Sequence, residues 1–505
     1  MSSRLLIALW CVACAAAAPG PLRFRVTLAR EASTAPVSGR LLVFMSDDAT
    51  PRERLASGFI PGAAWVAARE IESLAPGETV EFDPDVEAYP RPFSEAPAAS
   101  YQFMALLDRN HDYVLRGQGQ GDLYGPVVRV ERLDPANADP VPLALNLVDK
   151  ERPFDPDGAG VRLVEYQSAL LTRYWGHPIR MRAIVVLPPG YEKTPARRYP
   201  TLYVHHGFGG DRRQSLAHAA RMRRLMSQGK IMPSVLVYPE GSFATGDHEF
   251  ADSVNNGPWG RALIEEFIPY LERTYRLEAK PSARFLTGHS SGGWASLWLQ
   301  VTYPDFFGGT WSTSPDPVDF RSFCGVNAAP GSGDNAYRTA SGAPRNLVRE
   351  GGKDVVSWEQ FARHEEVLGE YGGQMASFEW VFSPRGEDGR PMRMFNRVTG
   401  VLDQDVLRAW QKYDIRLTLD REWNAKAPRL AGKLHIVCGE QDTFHLEEAV
   451  RMLCGFLKQK GSDAVCELVP GRDHMNLYDP YRTYPGGLEL RIAREMQTAF
   501  QAANR

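Results

Sequence analysis

Cysteine is scarce. The 505-residue chain has 6, and Cys11 and Cys14 fall within its first apolar stretch. The other four, Cys324, Cys438, Cys454 and Cys466, lack the paired short spacings of a zinc site. They leave room for a disulfide, but four cysteines permit three pairings and the sequence does not choose among them. A surplus of either charge is also missing: 58 Lys and Arg stand against 61 Asp and Glu, a net charge of -3. That removes the electrostatic basis for nucleic acid as a partner. The basic run Arg221-Met222-Arg223-Arg224 reads as the solvated face of a helix. Internal repeats and low-complexity tracts are absent, which excludes solenoids and repeat arrays. Long hydrophobic runs are lacking too, because residues 5–18 fall short of the roughly 20 needed to cross a bilayer.

That one apolar run has a different signature. Arg4 precedes it, an alanine tract ends it, and Pro19-Gly20 follows. A positive start, a short apolar middle and small residues at the end make up a secretory signal peptide. Residues 1–17 are therefore expected to be a signal, cut after Ala17, and the protein secreted or periplasmic. A lipid anchor on Cys14 is the lesser alternative, since Cys11 stands where such signals prefer a branched aliphatic. With 43% hydrophobic and 24% charged residues the composition is that of a globular protein, and the length exceeds what one core usually supports.

Residues 21–150 alternate short β-like runs (22–28, 40–45, 79–82, 100–108, 127–133) with Pro, Gly and Asp, which predicts a small antiparallel β-sandwich-like domain. Within it Asp108-Arg109-Asn110-His111-Asp112 opens like a calcium loop. Tyr113 replaces the glycine such a loop needs and no closing Glu follows, so an Asp/Asn-rich hairpin turn is the reading adopted. A linker rich in Asp, Pro and Gly covers 149–160. From 160 to 505 strands (180–187, 200–205, 234–238, 284–287, 309–312, 433–438, 464–469) alternate with helices (212–228, 260–275, 293–302, 446–460, 487–502). This is the pattern of an α/β, doubly wound, mostly parallel sheet, with sites at the carboxyl ends of its strands. Residues 315–430 break the rhythm and read as a lid or cap insertion.

The chemistry concentrates at strand ends. Arg284-Phe285-Leu286-Thr287 leads into Gly288-His289-Ser290-Ser291-Gly292-Gly293, and a helical stretch follows. Strand, tight turn and helix are the context in which a G-x-S-x-G run presents a nucleophilic serine, here Ser290. A serine hydroxyl needs a base, and in this chain order the base comes last. His474, in the loop after the final strand, fits that place. His445 is its nearest rival, His435 sits inside an apolar strand and His364 lies in the insertion. The orienting acid is assigned to Asp442, at the end of strand 433–438, with Asp316 and Glu440 as alternatives. Asp473 is too close to His474 in sequence to face the same ring edge. Backbone N–H groups of Phe208, in His205-His206-Gly207-Phe208-Gly209-Gly210, and of Ser291 are the expected oxyanion donors. His205 and His206 are adjacent in an extended segment and point opposite ways, which argues against joint metal ligation.

Together His206-Gly207-Phe208-Gly209-Gly210, Gly288 to Gly293, Tyr303-Pro304-Asp305-Phe306-Phe307 and Gly471-Arg472-Asp473-His474 resemble one serine esterase family of the α/β-hydrolase superfamily. It includes esterase D, feruloyl, acetylxylan and enterochelin esterases and the mycolyltransferase antigens. Gly257-Pro258-Trp259-Gly260 through Tyr275-Arg276 is similar to the helix these proteins place before the nucleophile strand. The resemblance covers about residues 180–314 and 433–480. It implies an α/β-hydrolase fold, and hydrolysis of small-molecule or glycan-linked esters, or acyl transfer, by Ser290, His474 and Asp442 without a cofactor. A serine peptidase on the same fold and a non-catalytic binding protein are the other classes. The N-terminal domain and the long insertion depart from the compact members and leave the acyl and alcohol groups open.

Overall fold

A computed structural model describes residues 20–117, 119–150, 160–211, 215–369 and 371–504. The expected signal segment 1–17, with Cys11 and Cys14, lies outside the described residues, as do 151–159 of the linker and the first residues of the 212–228 helix. The chain forms two compact units. One takes the N-terminal residues through Val148, except for Ser57–Gly62 and Asp108–Asp122, which belong to the second unit together with Asp149–Arg505.

The first unit is built of two sheets. Phe24–Leu28 pairs with Thr79–Phe82 antiparallel and with Val141–Leu145 parallel. The larger sheet centres on Val37–Ser46, which lies between Trp65–Leu74 and Ala99–Asp108. Alternate residues of both sheets, among them Phe24, Phe82, Phe103, Val43 and Leu107, bury into one core. Trp65–Leu74 reads poorly as a strand because Ala, Arg and Glu fill it and favour helix in isolation. Pairing with Val37–Ser46 overrides that preference. The Asp108 segment is the connection of a hairpin, since Leu106 and Leu107 pair antiparallel with Tyr124 and Leu123. A short helix, Tyr113–Arg116, stands in it before the chain returns at Leu123. Its carboxylates satisfy backbone donors: Asp108 accepts from Asn110, Asp112 and Tyr113, and Asp122 from Arg109 and Gly119.

The second unit carries an eight-stranded sheet. Its strands are β1 (Val161–Gln167), β2 (Arg180–Val186), β3 (Thr201–His205), β4 (Val235–Pro239), β5 (Arg284–Ser290), β6 (Gly309–Pro315), β7 (Leu434–Gly439) and β8 (Val465–Val469). Their order is β1-β2-β4-β3-β5-β6-β7-β8, antiparallel across β1, β2 and β4 and parallel from β4 through β8. The period-2 alternation of the central strands feeds two layers. Tyr203, Val237 and Leu286 face one cluster, and Leu202, Leu236 and Phe285 the other. The edge strand β1 buries little beyond Val164, so no apolar pattern marks it in the sequence.

The helices used below are α1 (Ser215–Ser227), α2 (Ser291–Thr302), α3 (Trp358–Gly369), α4 (Gln374–Phe382), α5 (Leu446–Gln459) and α6 (Leu488–Ala502). α2 starts directly at the end of β5. α3 and α4 come from the 315–430 stretch, whose described residues combine four α-helices, a short antiparallel hairpin (Asn346–Glu350 with Lys353–Ser357) and long irregular connections. Trp294, Leu297 and Val301 of α2 share a single apolar cluster with Trp358, Phe361, Phe378 and Phe382 of α3 and α4. The whole is an α/β-hydrolase fold preceded by an extra β-unit. Among the described residues no helix is long and apolar enough to cross a membrane.

Cys454 on α5 and Cys466 on β8 are joined by a disulfide across a sequence separation of 12, while Cys324 and Cys438 are buried free thiols. Closing a loop of that length restricts the unfolded chain by about 3 kcal/mol. A Cys454→Ala/Cys466→Ala protein is expected to lose about that much stability in chemical denaturation, with catalytic activity kept below the transition.

Candidate active site

The turn between β5 and α2 is set by two glycines. A Cβ on Gly288 would sit 2.1 Å from the Gly292 carbonyl oxygen, and one on Gly292 would sit 2.3 Å from the carbonyl oxygen of His205 on β3. No side chain survives either approach. The residue between them, Ser290, adopts φ 59° and ψ -126°. A non-glycine residue held there stores on the order of 1–3 kcal/mol of backbone strain, which surrounding packing must impose. The turn projects the Ser290 hydroxyl at the sheet's carboxyl edge and leaves the Ser291 N–H at the start of α2, where no intrahelical acceptor exists.

Asp442 lies just past β7 and His474 in the loop after β8, both buried. His474 Nδ1 donates to Asp442 Oδ2 at 2.8 Å, which fixes the tautomer and leaves Nε2 to accept a proton. Asp442 Oδ1 also accepts the Phe444 N–H at 3.0 Å. Burial by itself would raise the Asp442 carboxyl, but the facing imidazole holds it below the ordinary value. Burial pulls the other way on His474. The Asp442 charge and hydrogen bond, with help from Asp316 and Asp473, outweigh that and raise it above an ordinary histidine. His474 is braced by rings on two sides, His289 with centroids 4.3 Å away and Phe444 at 5.0 Å.

The other candidates sit elsewhere. His445 directs Nε2 toward Asp354 at 3.7 Å. His364 bonds Ser57 Oγ through Nε2 at 2.8 Å, and His435 stacks on Trp311 with centroids 4.3 Å apart. Glu440 is exposed. Asp473 accepts the N–H groups of Met475 and Asn476 and shapes the loop that carries His474. Asp316, the second choice for the acid, does reach the site but from the serine side. Its Oδ1 accepts the Ser290 hydroxyl at 3.3 Å and its Oδ2 the Ser291 hydroxyl at 2.6 Å. Burial pushes the Asp316 carboxyl up to about 6, against the lowering effect of the Ser291 bond and of His474.

The loop after β3 comes up against Ser290: a Cβ on Gly207 would lie 3.1 Å from that of Ser290. His206 anchors this loop. Its Nε2 accepts the Gly241 N–H at 2.8 Å, so Nδ1 carries the hydrogen and donates to the Gly207 carbonyl, also at 2.8 Å. His205, its neighbour, packs against Phe250 instead. Phe208 follows Gly207, and its residue lines a cavity of about 200 Å³ together with Ser290, Asp316 and His474. Three features had no signal in the sequence: the Asp316 bonds to both serines, the His206 anchor and the participation of Phe59 in the cavity wall. An Asp placed just after β6 was the nearest thing to a clue for the first. Nothing local marks the third, because Phe59 is remote in sequence.

The region from 178 to 474 matches the model of the family described as "Putative esterase". The chain is similar to the esterase Rv1288 of Mycobacterium tuberculosis, 30% identical over 179 residues, which are 34% of this chain and 38% of that protein. It is also similar to an endo-1,4-beta-xylanase/feruloyl esterase of Xylanibacter ruminicola, 30% identical over 134 residues, 25% of this chain and 18% of that one. The match thus spans well under half the length of either relative. Among solved structures, a ferulic acid esterase from Anaeromyces mucronatus is 16% identical with a TM-score of 0.36, covering 71% of this chain and 97% of that one. A fluorophosphonate-binding serine hydrolase of Staphylococcus aureus is 15% identical with a TM-score of 0.39, covering 68% and 99%. With the family match covering more than half of the residues and including Ser290, Asp442 and His474, the chain belongs to this esterase family.

Proposed function

We propose that the protein is an exported serine esterase, cleaving carboxylic esters through Ser290, His474 and Asp442 and an acyl-enzyme intermediate. The observation that carries this reading is the strained Ser290 turn opening on the same cavity as His474, whose imidazole is bonded to Asp442 behind it. The Ser290 hydroxyl turns from Asp316 to His474 Nε2 as substrate binds. His474 takes its proton while Oγ attacks the ester carbonyl, and the carbonyl oxygen becomes an oxyanion held by the N–H groups of Phe208 and Ser291. Collapse breaks the bond to the alcohol oxygen, which leaves with the proton from His474. Water, deprotonated by the same imidazole, then attacks the acyl carbonyl and returns Ser290 with release of the acid. Asp442 keeps the imidazole oriented and offsets its charge in each step. Every group used is a side chain or backbone N–H of this chain. Export is supported by the signal-like residues 1–17 and by the Cys454–Cys466 disulfide, a bond that persists in oxidising compartments.

A fluorophosphonate probe is expected to label the protein at Ser290, located by peptide mapping. Ser290→Ala should remove the label and lower ester turnover by about 10⁴-fold or more with circular dichroism unchanged. A folded Ser290→Ala protein with full activity would discard the assignment.

The base must be neutral to accept a proton, so kcat/KM is expected to fall as pH drops through the His474 pKa. Since that pKa is raised, the acid limb should lie above the ~6.5 of an unperturbed histidine. Asp442→Asn removes the main raising influence. Its acid limb should move to lower pH, and its kcat should drop by about 10⁴-fold. A limb that stays in place in that variant would assign the titration to another group.

A further inference from the structure

One wall of the cavity at Ser290 comes from outside the family match. Phe59 lies in Ser57–Gly62, far ahead of residue 178 where that match begins. Its ring meets three others edge-on or stacked: Phe208 at 5.5 Å, Phe361 at 6.4 Å and Phe444 at 6.5 Å between centroids. Those rings sit on separate pieces of the machinery. Phe208 is in the oxyanion loop, Phe361 on α3 of the insertion, and Phe444 in the turn that carries Asp442. The segment is pinned at its start. The Ser57 N–H donates to the Tyr113 hydroxyl at 3.1 Å, that hydroxyl donates to the Ser57 carbonyl at 3.2 Å, and Ser57 Oγ bonds the buried His364 at 2.8 Å.

The chemistry of the cavity follows from its walls. Phe59, Phe208, Phe361, Phe378, Phe444 and Met375 present carbon over most of the wall, polar groups cluster around Ser290, His474 and Asp316, and Gln374 and the Cys324 thiol are the other polar side chains lining it. A volume of about 200 Å³ is somewhat larger than the roughly 150 Å³ that accepts benzene in an apolar protein cavity. A hydroxyl carried against the phenylalanine part of that wall would lose its water, and those side chains offer no partner to replace it. The group that belongs there is the one that remains on the enzyme. The acyl half stays bonded to Ser290 through both steps, while the alcohol departs and water enters along a path that must be wet.

We propose that this cavity is the acyl site, that Phe59 sets its depth, and that it selects esters of apolar acids of about phenyl size over hydroxylated acyl groups. The proposal rests on Ser290 being the nucleophile. Its test is kcat/KM on p-nitrophenyl acetate, butanoate, hexanoate and decanoate, and on phenylpropanoate against its 4-hydroxy analogue. The wild-type protein is expected to gain about fourfold per methylene up to hexanoate, to fall on decanoate, and to prefer the unsubstituted aryl ester by roughly tenfold. Phe59→Ala should move the maximum to longer chains, and Phe59→Trp should move it to shorter ones. Phe59→Leu, a milder change, decides the point if the alanine protein does not fold. A flat acyl profile overturns the proposal, as does an unchanged maximum in a Phe59 variant that still reacts with the fluorophosphonate probe. So does a series of acetates in which rate follows the size of the alcohol instead. Failure of the wild-type protein to react with the probe would remove the underlying nucleophile, a result distinct from labelling without acyl selectivity.

Discussion

The closeness of three backbones at the carboxyl edge of the sheet governs the rest of the site. β5, the first turn of α2 and the end of β3 approach so nearly that only glycine fits at 288 and 292. The same approach forces Ser290 into its positive-φ conformation and stacks the Gly207 loop against it. The conformation of Ser290 and the placement of the Gly207 loop and the Ser291 N–H beside it are therefore consequences of one packing condition. The imidazole and its carboxylate arrive from two further strand ends, and because β7 and β8 are neighbours in the sheet, the loops that follow them are neighbours as well.

Electrostatics in this pocket depend on burial as much as on partners. Asp442 and Asp316 are both buried carboxyls near His474, yet they move in opposite directions. The first faces the imidazole directly and receives a backbone N–H, so its charge is stabilised. The second faces two serine hydroxyls and sits farther from a compensating charge, so desolvation dominates. Two similar side chains thus acquire different properties from what lies within a few ångströms of each.

How much of this could be read without coordinates follows physical lines. The parallel strands were legible because burial on both faces makes them continuous apolar runs, and the nucleophile turn because its glycines are sterically obligatory. β1 was not, since an edge strand with one buried residue carries no pattern. Trp65–Leu74 was masked by helix-forming residues. Local motifs identified Ser290, His474 and Asp442 as candidates because each follows a strand end. Asp316 was seen, but as a rival acid, since which face of the serine it approaches is a tertiary matter. Phe59 and His206 depend on contacts between segments far apart in the chain, and no window of sequence contains both partners.

The cluster shared by α2 and the insertion has a mechanical meaning. Trp294, fully buried in the helix that begins beside Ser290, stacks on Trp298 at 5.2 Å and meets Phe382 of α4 at the same distance. Reshaping the insertion therefore also shifts the support beneath Ser290. In such a molecule, preference and speed are not independent variables. A lineage exploring new esters through this region would be expected to trade turnover for range at each step, until compensating changes in α2 restored the alignment.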